Sequence, residues 1–332
     1  MKTFVVLILV IAGSSLIYSI ETNSLFESAP EFKWTKAEVK GSGAHEDEWK
    51  PGNWPKGIKP LIAFDNKLWV VGQKLVWISA DAINWQVHDK NDWGERISHK
   101  IIFFRNKLWM SGGLRYADKT FLNDIWSSED GTNWQLEKKN AEWSPRRGHT
   151  LIEFKNKLWL LGGADGVDEY RASDKFLNDI WSSDDGITWR LEISSAPWEP
   201  RDDHRVIEFN NELWLIGGQG HSDIWKSGDG KNWKKVRDES PWKNRYDYGA
   251  LAYEDILWVF GGHEKVSTNA FNDVWYSLDG KNWELHSQHA PWTKRSAVAS
   301  VVFKNKLWIF SGKCTGCPKN WSDDVWMMEP RR

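Results

Sequence analysis

Short apolar segments built around a Leu-Trp pair recur along the chain. In one of them, FKNKLWLLGG from Phe154 to Gly163, the apolar residues are continuous and do not alternate with polar ones. A strand with one buried face alternates, so a continuous run predicts a short strand that is buried on both faces. After the first twenty residues, no apolar period of 3.6 residues runs for ten positions, which argues against helices. The pairs begin at Leu68, Leu108, Leu158, Leu213, Leu257 and Leu307.

Each Leu-Trp segment opens a longer repeated unit. FLNDIWSSEDGTNW, from Phe121 to Trp134, returns as FLNDIWSSDDGITW from Phe176 to Trp189. The intervals between Leu-Trp pairs run from 40 to 55 residues. Every unit carries a variable loop and a Trp-containing strand. The first five units continue with a turn that is Asp-Gly in four copies, a further strand, and a loop with Trp three residues before Arg. Asp-Gly favours a tight hairpin, because both residues tolerate positive φ. The third unit predicts strands at Thr150–Phe154, Leu158–Leu161, Asp179–Ser182 and Trp189–Glu192.

The units predict an all-β fold, a six-bladed β-propeller of four-stranded antiparallel blades. Strands buried on both faces suit blades that pack between two neighbours. The last unit ends without a fourth strand, and Phe32–Val39 has the matching pattern, with Trp34 at the position of Trp134. We therefore expect the N-terminal strand to complete the last blade and close the ring, which leaves no exposed sheet edge. The propeller would span residues 31–332, after a linker at 21–30.

Residues 1–20 have the layout of a secretory signal peptide. Lys2 precedes a continuous apolar stretch from Phe4 to Ala12, and small residues follow near a cleavage point. The alternative is an uncleaved membrane anchor, since Thr3–Ile20 nearly has the length to span. Both interpretations predict an exported, periplasmic or extracellular, propeller.

Net charge and cysteine content exclude several classes of partner and site. The formal charge is −2, which gives no general attraction to nucleic acid, so we expect no nucleic-acid partner. Only two cysteines occur, Cys314 and Cys317. In an exported protein we expect them to form a local disulfide. A redox motif would need a βαβ context, and a zinc site would need two more ligands.

The run RRGHTLIEFKNKLWLLGG, followed by DIWSSDDGITW, resembles kelch repeats. The period near 50 and the diglycine support the resemblance, whereas Trp here often stands where kelch repeats carry Tyr. The resemblance implies a propeller whose relatives include protein-binding modules, a copper galactose oxidase and a sialic-acid mutarotase. The turn at Ser128, Asp130, Gly131 and Trp134 also resembles the Asp box of sialidases, one residue short.

Repeat symmetry separates structural residues from candidate site residues. A residue present in every blade serves the blade, whereas one confined to a single blade is a better functional candidate. The loops that join strands two and three lie on the same face as those that join blades, and there the blades differ. Two alternatives stay open: a polar ligand pocket, or a solvated loop surface in which the histidines serve packing. The candidate ligand-binding residues are Arg115, Tyr116, His149, Asp168, Glu169, Tyr170, Arg171, His204, Tyr246 and His263.

We predict a monomeric binding module for a glycan or protein, which uses this variable-loop face. No metal or cofactor is expected, because the chain contains no His/Cys metal cluster, Gly-rich phosphate loop or nucleophile elbow. The alternative is a carbohydrate-active enzyme, similar to the sialic-acid mutarotase or to a glycoside hydrolase, that uses acids and arginines of the rim. A third class is an architectural envelope protein without a pocket.

Overall fold

The computed structural model describes residues 5–11, 14–20, 31–43, 60–72, 75–89, 92–115, 117–166, 175–218, 220–242, 245–264, 269–314, 317 and 320–330. Within these ranges the fold is all-β: six four-stranded antiparallel blades form a six-bladed β-propeller. The sequence prediction of the fold is therefore confirmed. No described helix is long and apolar enough to cross a membrane.

Each blade runs from an inner strand at the axis to an outer strand. Blade 1 holds Leu61–Phe64, Lys67–Val71, Leu75–Ser79 and Asn84–Asp89. Blade 2 holds Lys100–Phe104, Lys107–Arg115, Phe121–Ser128 and Gln135–Lys138. Blade 3 holds Thr150–Phe154, Lys157–Asp165, Lys175–Ser183 and Arg190–Ile193. Blade 4 holds Arg205–Phe209, Glu212–Gly218, His221–Ser227 and Trp233–Arg237. Blade 5 holds Gly249–Tyr253, Ile256–Phe260, Val274–Ser277 and Glu284–Ser287. Blade 6 holds Ala299–Phe303, Lys306–Lys313, Trp321–Pro330 and, as its outer strand, Phe32–Ala37.

Four further strands lie outside the four-stranded blades. Lys40–Gly43 pairs in parallel with the outer strand of blade 1, and Arg96–Ile97 pairs with the second strand of blade 2. Val5–Ile11 and Ser14–Ile20 pair with each other as an antiparallel hairpin. The signal-peptide prediction stays a prediction, and the 21–30 linker lies outside the described residues.

The N-terminal strand closes the ring as the sequence predicted. Phe32–Ala37 pairs antiparallel with Trp321–Pro330, with Met328 opposite Trp34. The Trp34 and Trp292 rings lie edge to face, 4.3 Å between centroids. Trp134 makes the same kind of contact with Trp93, so Trp34 occupies the predicted repeat position.

The core consists of apolar layers between blades. In the second strand of blade 3, Leu158 and Leu160 pack toward blade 2, whereas Trp159 and Leu161 pack toward blade 4. All four side chains are almost fully buried. This alternation explains the continuous apolar run, because both faces of each blade meet a neighbouring blade.

Two kinds of turn share one end of the propeller, which we call the turn end. The turn between inner and second strands holds two residues with positive φ, as in Arg105-Asn106 and Lys155-Asn156. In the Asp-Gly turn only the glycine has positive φ, 77° at Gly131, so that turn is not the tight hairpin that the sequence predicted. Ala82 takes this conformation in blade 1, with φ of 67°.

Candidate functional site

The end opposite the turn end carries the loops between second and third strands and the loops between blades; we call it the loop face. Each diglycine lies against the next inter-blade loop. The amide of Gly163, for example, donates to the carbonyl of Arg201, 3.0 Å away. An added Cβ at Gly163 would stand 2.8 Å from the carbonyl oxygen of Arg147, and its φ is 106°. The diglycine therefore permits the close approach of strand and loop on which this face is built.

A buried ion pair underlies the loop face in five blades. In blade 3, Arg146 Nη1 lies 2.7 Å from Asp179, and the same carboxylate accepts a hydrogen bond from Trp181 Nε1. Arg146 also donates to the carbonyl of Gly162. Across the five copies the ion-pair distances are 2.5–2.7 Å, and the arginine side chains are at most 2% exposed. The repeated arginines thus tie loops to blades and do not project into solvent; they are Arg96, Arg146, Arg201, Arg245 and Arg295.

His149 and His204, two of the predicted ligand-binding residues, are buried between blades. His149 is 0% and His204 1% exposed. His149 Nε2 lies 3.0 Å from Ser111 Oγ of the preceding blade, and Cε1 of His204 faces Gly162. The equivalent residues of the next blades, Tyr248 and Val298, face Gly217 and Gly261 in the same way. This geometry favours packing, the second alternative open for the histidines.

Burial also decides the protonation of these histidines. The pKa of His204 falls to about 3, chiefly because burial disfavours the imidazolium, and then because Arg201 is close. The pKa of His149 is likewise held well below its usual value by burial, with Lys100 and Arg146 contributing. Both imidazoles are therefore neutral at physiological pH.

Tyr246 and His263 are the two predicted site residues that the structure brings together. Their backbones pair across a β-bridge, and their rings lie 5.7 Å apart. Tyr246 is 8% exposed, and its hydroxyl is buried without a hydrogen-bond partner among the described residues. The Nδ1 atom of His263 is in the same situation. Within the described ranges, buried nitrogens without partners also occur in His99, His149 and His204, but those imidazoles are almost fully buried between blades. His263 is only partly buried and lies at the rim of blade 5, where a ligand could supply the missing partner.

Arg115 lies elsewhere on the rim, at the end of the second strand of blade 2. Its guanidinium is 42% exposed and pairs with Asp118 in its own loop at 2.7 Å. This contact holds the pKa of Asp118 below its usual range. The remaining predicted site residues lie outside the described part of the chain: Tyr116, Asp168, Glu169, Tyr170 and Arg171.

A collar of left-handed residues surrounds the channel mouth. Five residues in successive inter-blade loops, Ser98, Gly148, Asp203, Asp247 and Ala297, all have φ between 52° and 63°. Backbone hydrogen bonds link neighbours, from the Asp203 amide to Gly148 O and from the Ala297 amide to Asp247 O. Two of the five carry carboxylates, so the collar is acidic on the side of blades 4 and 5.

Below the collar the channel holds a cavity of about 180 Å³. Lys100 and Arg205, the first residues of two inner strands, line it together with small or apolar residues of the other blades. Sequence reasoning missed both cations. The symmetry rule itself could have found them, because the corresponding residues are uncharged in the other blades: Pro60, Thr150, Gly249 and Ala299.

A larger groove of about 680 Å³ lies at the turn end, between blades 1 and 2. Its walls include Trp69, Asp81, Trp85 and Asp130, all of which are repeat positions. Such residues serve the hairpins. Asp81 accepts hydrogen bonds from the amides of Ile83 and Asn84, for example.

Cys314 and Cys317 form a disulfide in the loop that follows the second strand of blade 6. The loop is also held by the amide of Cys314, which donates to Asn320 O. Among the described residues, no cluster of three or more His, Cys, Asp or Glu side chains could hold a metal ion.

Comparison with known proteins supports the fold. No family model matches the chain, and no curated protein matches it. Among solved structures, the chain is similar to YjhT, with a TM-score of 0.63 and 17% sequence identity over 77% of this chain and 90% of that one. At this identity the likeness concerns the architecture alone, so the chain is described as a six-bladed β-propeller.

Proposed function

We propose that this protein is an exported kelch-type propeller that binds a glycan or protein ligand on its loop face. The supporting observation is the Tyr246–His263 pair, which holds two buried polar atoms without partners among the described residues. Burying an unpaired hydroxyl or imidazole nitrogen destabilises a fold by about 1–3 kcal/mol, so a ligand that supplies the partner recovers this loss. Export is supported by the apolar stretch at Phe4–Ala12 and is checked by N-terminal sequencing of secreted protein.

The long loop of blade 3 is the second part of the proposed surface. It leaves the second strand at Asp165 and returns at Lys175. Its predicted ligand-binding residues, at 168–171, include two acids, a Tyr and an Arg. Replacing residues 166–174 by a Gly-Ser linker removes them without touching a described blade strand.

The test is a thermal-shift screen of the full chain against neutral and acidic mono- and oligosaccharides. A ligand at a hundred times its dissociation constant adds about 2.7 kcal/mol to the free energy of unfolding. We expect one sugar class to raise the melting temperature, and we expect Tyr246→Phe or the loop replacement to reduce this shift. Leu136→Ser, an exposed outer-strand change, is the control.

A carbohydrate-active enzyme remains the second candidate, and the same screen addresses it. Conversion of the stabilising sugar, lost on Asp168→Asn or Glu169→Gln substitution, would favour catalysis over binding. A shift that survives both the loop replacement and Tyr246→Phe would move the site away from this face.

A further inference from the structure

The channel cavity under the collar has a charge pattern that the blade scaffold does not require. Lys100 and Arg205 reach it from blades 2 and 4, at a position that the other blades fill with uncharged residues. Cations that break the repeat symmetry are functional candidates by the rule applied to the loop face. Their shared cavity makes them candidates for one ligand.

Arg205 is fixed in place without a carboxylate partner among the described residues. Its Nε and Nη2 atoms donate to the carbonyl of Tyr248 at 3.1 and 2.7 Å. Its guanidinium carbon lies 5.7 Å from the centre of the Tyr248 ring. The charge is therefore oriented by the neighbouring blade before any ligand arrives, which reduces the entropy lost on binding.

Lys100 lines the same cavity from the start of the inner strand of blade 2. It is among the causes that hold the pKa of both His149 and His204 low, after burial. The third buried imidazole, His99, lines the cavity, and burial with the nearby Arg96 lowers its pKa to about 3. The histidines thus add no charge at neutral pH, and the cations of the cavity are Lys100 and Arg205.

The collar carries two carboxylates, those of Asp203 and Asp247. They stand two residues before Arg205 and Gly249, roughly 7 Å along an extended strand. Positive charge below and acceptors above suit a ligand with an acid group at one end and hydroxyl donors at the other. A cavity of about 180 Å³ is small beside ligand pockets of about 300 Å³ or more, so it fits an acid group and not a whole glycan.

We propose that Lys100 and Arg205 form an oxyanion site, which binds the carboxylate, sulfate or phosphate group of a small hydroxylated acid entering through the collar. Arg205 supplies oriented donors, and Lys100 supplies a second positive charge across the channel. The site is separate from the Tyr246–His263 surface. The proposal for the channel therefore does not depend on whether that surface binds a ligand.

Calorimetric titration of the full chain at low salt tests the site. The probes are glucuronate, a hydroxylated carboxylate; inorganic phosphate, a bare oxyanion; and glucose, a neutral sugar. We expect saturable binding of glucuronate at one site per chain and none of glucose. Lys100→Met and Arg205→Met should each weaken binding about tenfold or more, since each removes a charge-assisted hydrogen bond.

Lys234→Met is the matched control, because Lys234 is exposed on the outer strand of the same blade as Arg205. It removes one positive charge outside the channel and should leave affinity unchanged. Arg205→Lys, which keeps the charge, guards against a folding defect, and thermal melts verify each variant.

The probes separate the two sources of an oxyanion. Binding of phosphate without glucuronate supports the cation pair but rejects the collar as a hydroxyl acceptor. The site is rejected if neither anion binds saturably, or if Lys100→Met and Arg205→Met bind as well as Lys234→Met. Neither substitution alters Tyr246 or the blade 3 loop, so failure here leaves the loop-face proposal standing.

Discussion

At the turn end, five blades place a Ser, an Asp and a Trp in the same hydrogen-bonded hairpin, whereas at the loop face the same blades differ. In blade 2, the Gly131 amide donates to Ser128 Oγ, the Asp130 carboxylate accepts two amides, and Trp134 donates to the Gly131 carbonyl. In these five blades the turn end therefore repeats one hydrogen-bonding pattern.

The loop face shows a mixture of constant and variable positions. The five buried Arg–Asp pairs are as regular as the hairpins, but the residues between and above them are not. Lys100, Arg205 and Tyr246 each occur in one blade only. The comparison teaches that function at this face is carried by departures from the repeat, on a scaffold that the repeat supplies.

The largest effect on stability should come from disrupting one of the repeated, buried Arg–Asp ion pairs. Arg201→Met removes a side chain that is 0% exposed from its ion pair with Asp223, 2.5 Å away. Removal of one partner leaves the other charge buried, and we expect a loss of about 3–5 kcal/mol in the free energy of unfolding. Urea denaturation measures it.

The control is a pair on the neighbouring blade in which the arginine is exposed. Arg190 is 60% exposed and pairs with Glu192 at 2.7 Å. Arg190→Met should cost no more than about 1 kcal/mol, because Arg190 is exposed to solvent. In that variant Glu192 also keeps Lys231 and the Ser182 hydroxyl as partners. Equal losses in the two variants would show that the buried arginines are not the structural ties inferred here.

Structural features that repeat in many blades could be predicted from the sequence, whereas features of single blades were harder to predict. The blade count, the closing strand and the burial of both strand faces followed from six copies of one pattern, and each copy constrained the others. The tight turns were missed for a related reason. The sequence predicts the tight turn at Asp-Gly, because that pair is constant in four blades. In the structure, two consecutive residues with positive φ occur instead at pairs such as Arg105-Asn106, whose first residue varies between blades.

The site was harder to predict, because tertiary packing decides which polar residues face solvent. His149 and His204 carry candidate chemistry in sequence, yet each lies against a glycine of the preceding blade. Conversely, Lys100 and Arg205 stand among strand residues and resemble ordinary surface charges. Only the ring places both in one channel.

An intermediate effect is expected in the pH dependence of stability. His204 has a pKa of about 3 when folded and about 6.5 when unfolded, so the unfolded chain binds the proton between these values. The contribution to stability is complete above pH 6.5 and falls by about 1.4 kcal/mol for each pH unit as the pH drops toward 3.

His204→Gln should therefore flatten the decline in unfolding free energy between pH 6.5 and 4.5. His289→Gln, at an exposed position, should leave that slope as it is. Denaturation curves at pH 7, 6 and 5 make the measurement. If the slope of His204→Gln equals that of the wild type, the imidazole is not buried in the neutral form.

The smallest effect on stability, and the one that sharpens the comparison most, concerns two tyrosines of one loop. Tyr248 donates its hydroxyl to the Ile216 carbonyl at 2.7 Å, whereas the Tyr246 hydroxyl is buried without a partner among the described residues. Tyr248→Phe should cost about 1 kcal/mol in unfolding free energy, since it removes a satisfied buried hydrogen bond.

Tyr246→Phe should be neutral or stabilising by up to about 1 kcal/mol, because it relieves an unsatisfied buried group. Paired urea denaturations of the two variants, without ligand, give the difference. A residue that destabilises the free protein but is needed for a ligand is what a binding site produces. If Tyr246→Phe costs as much as Tyr248→Phe, the hydroxyl already has a partner, and the loop face loses its main argument as a binding surface.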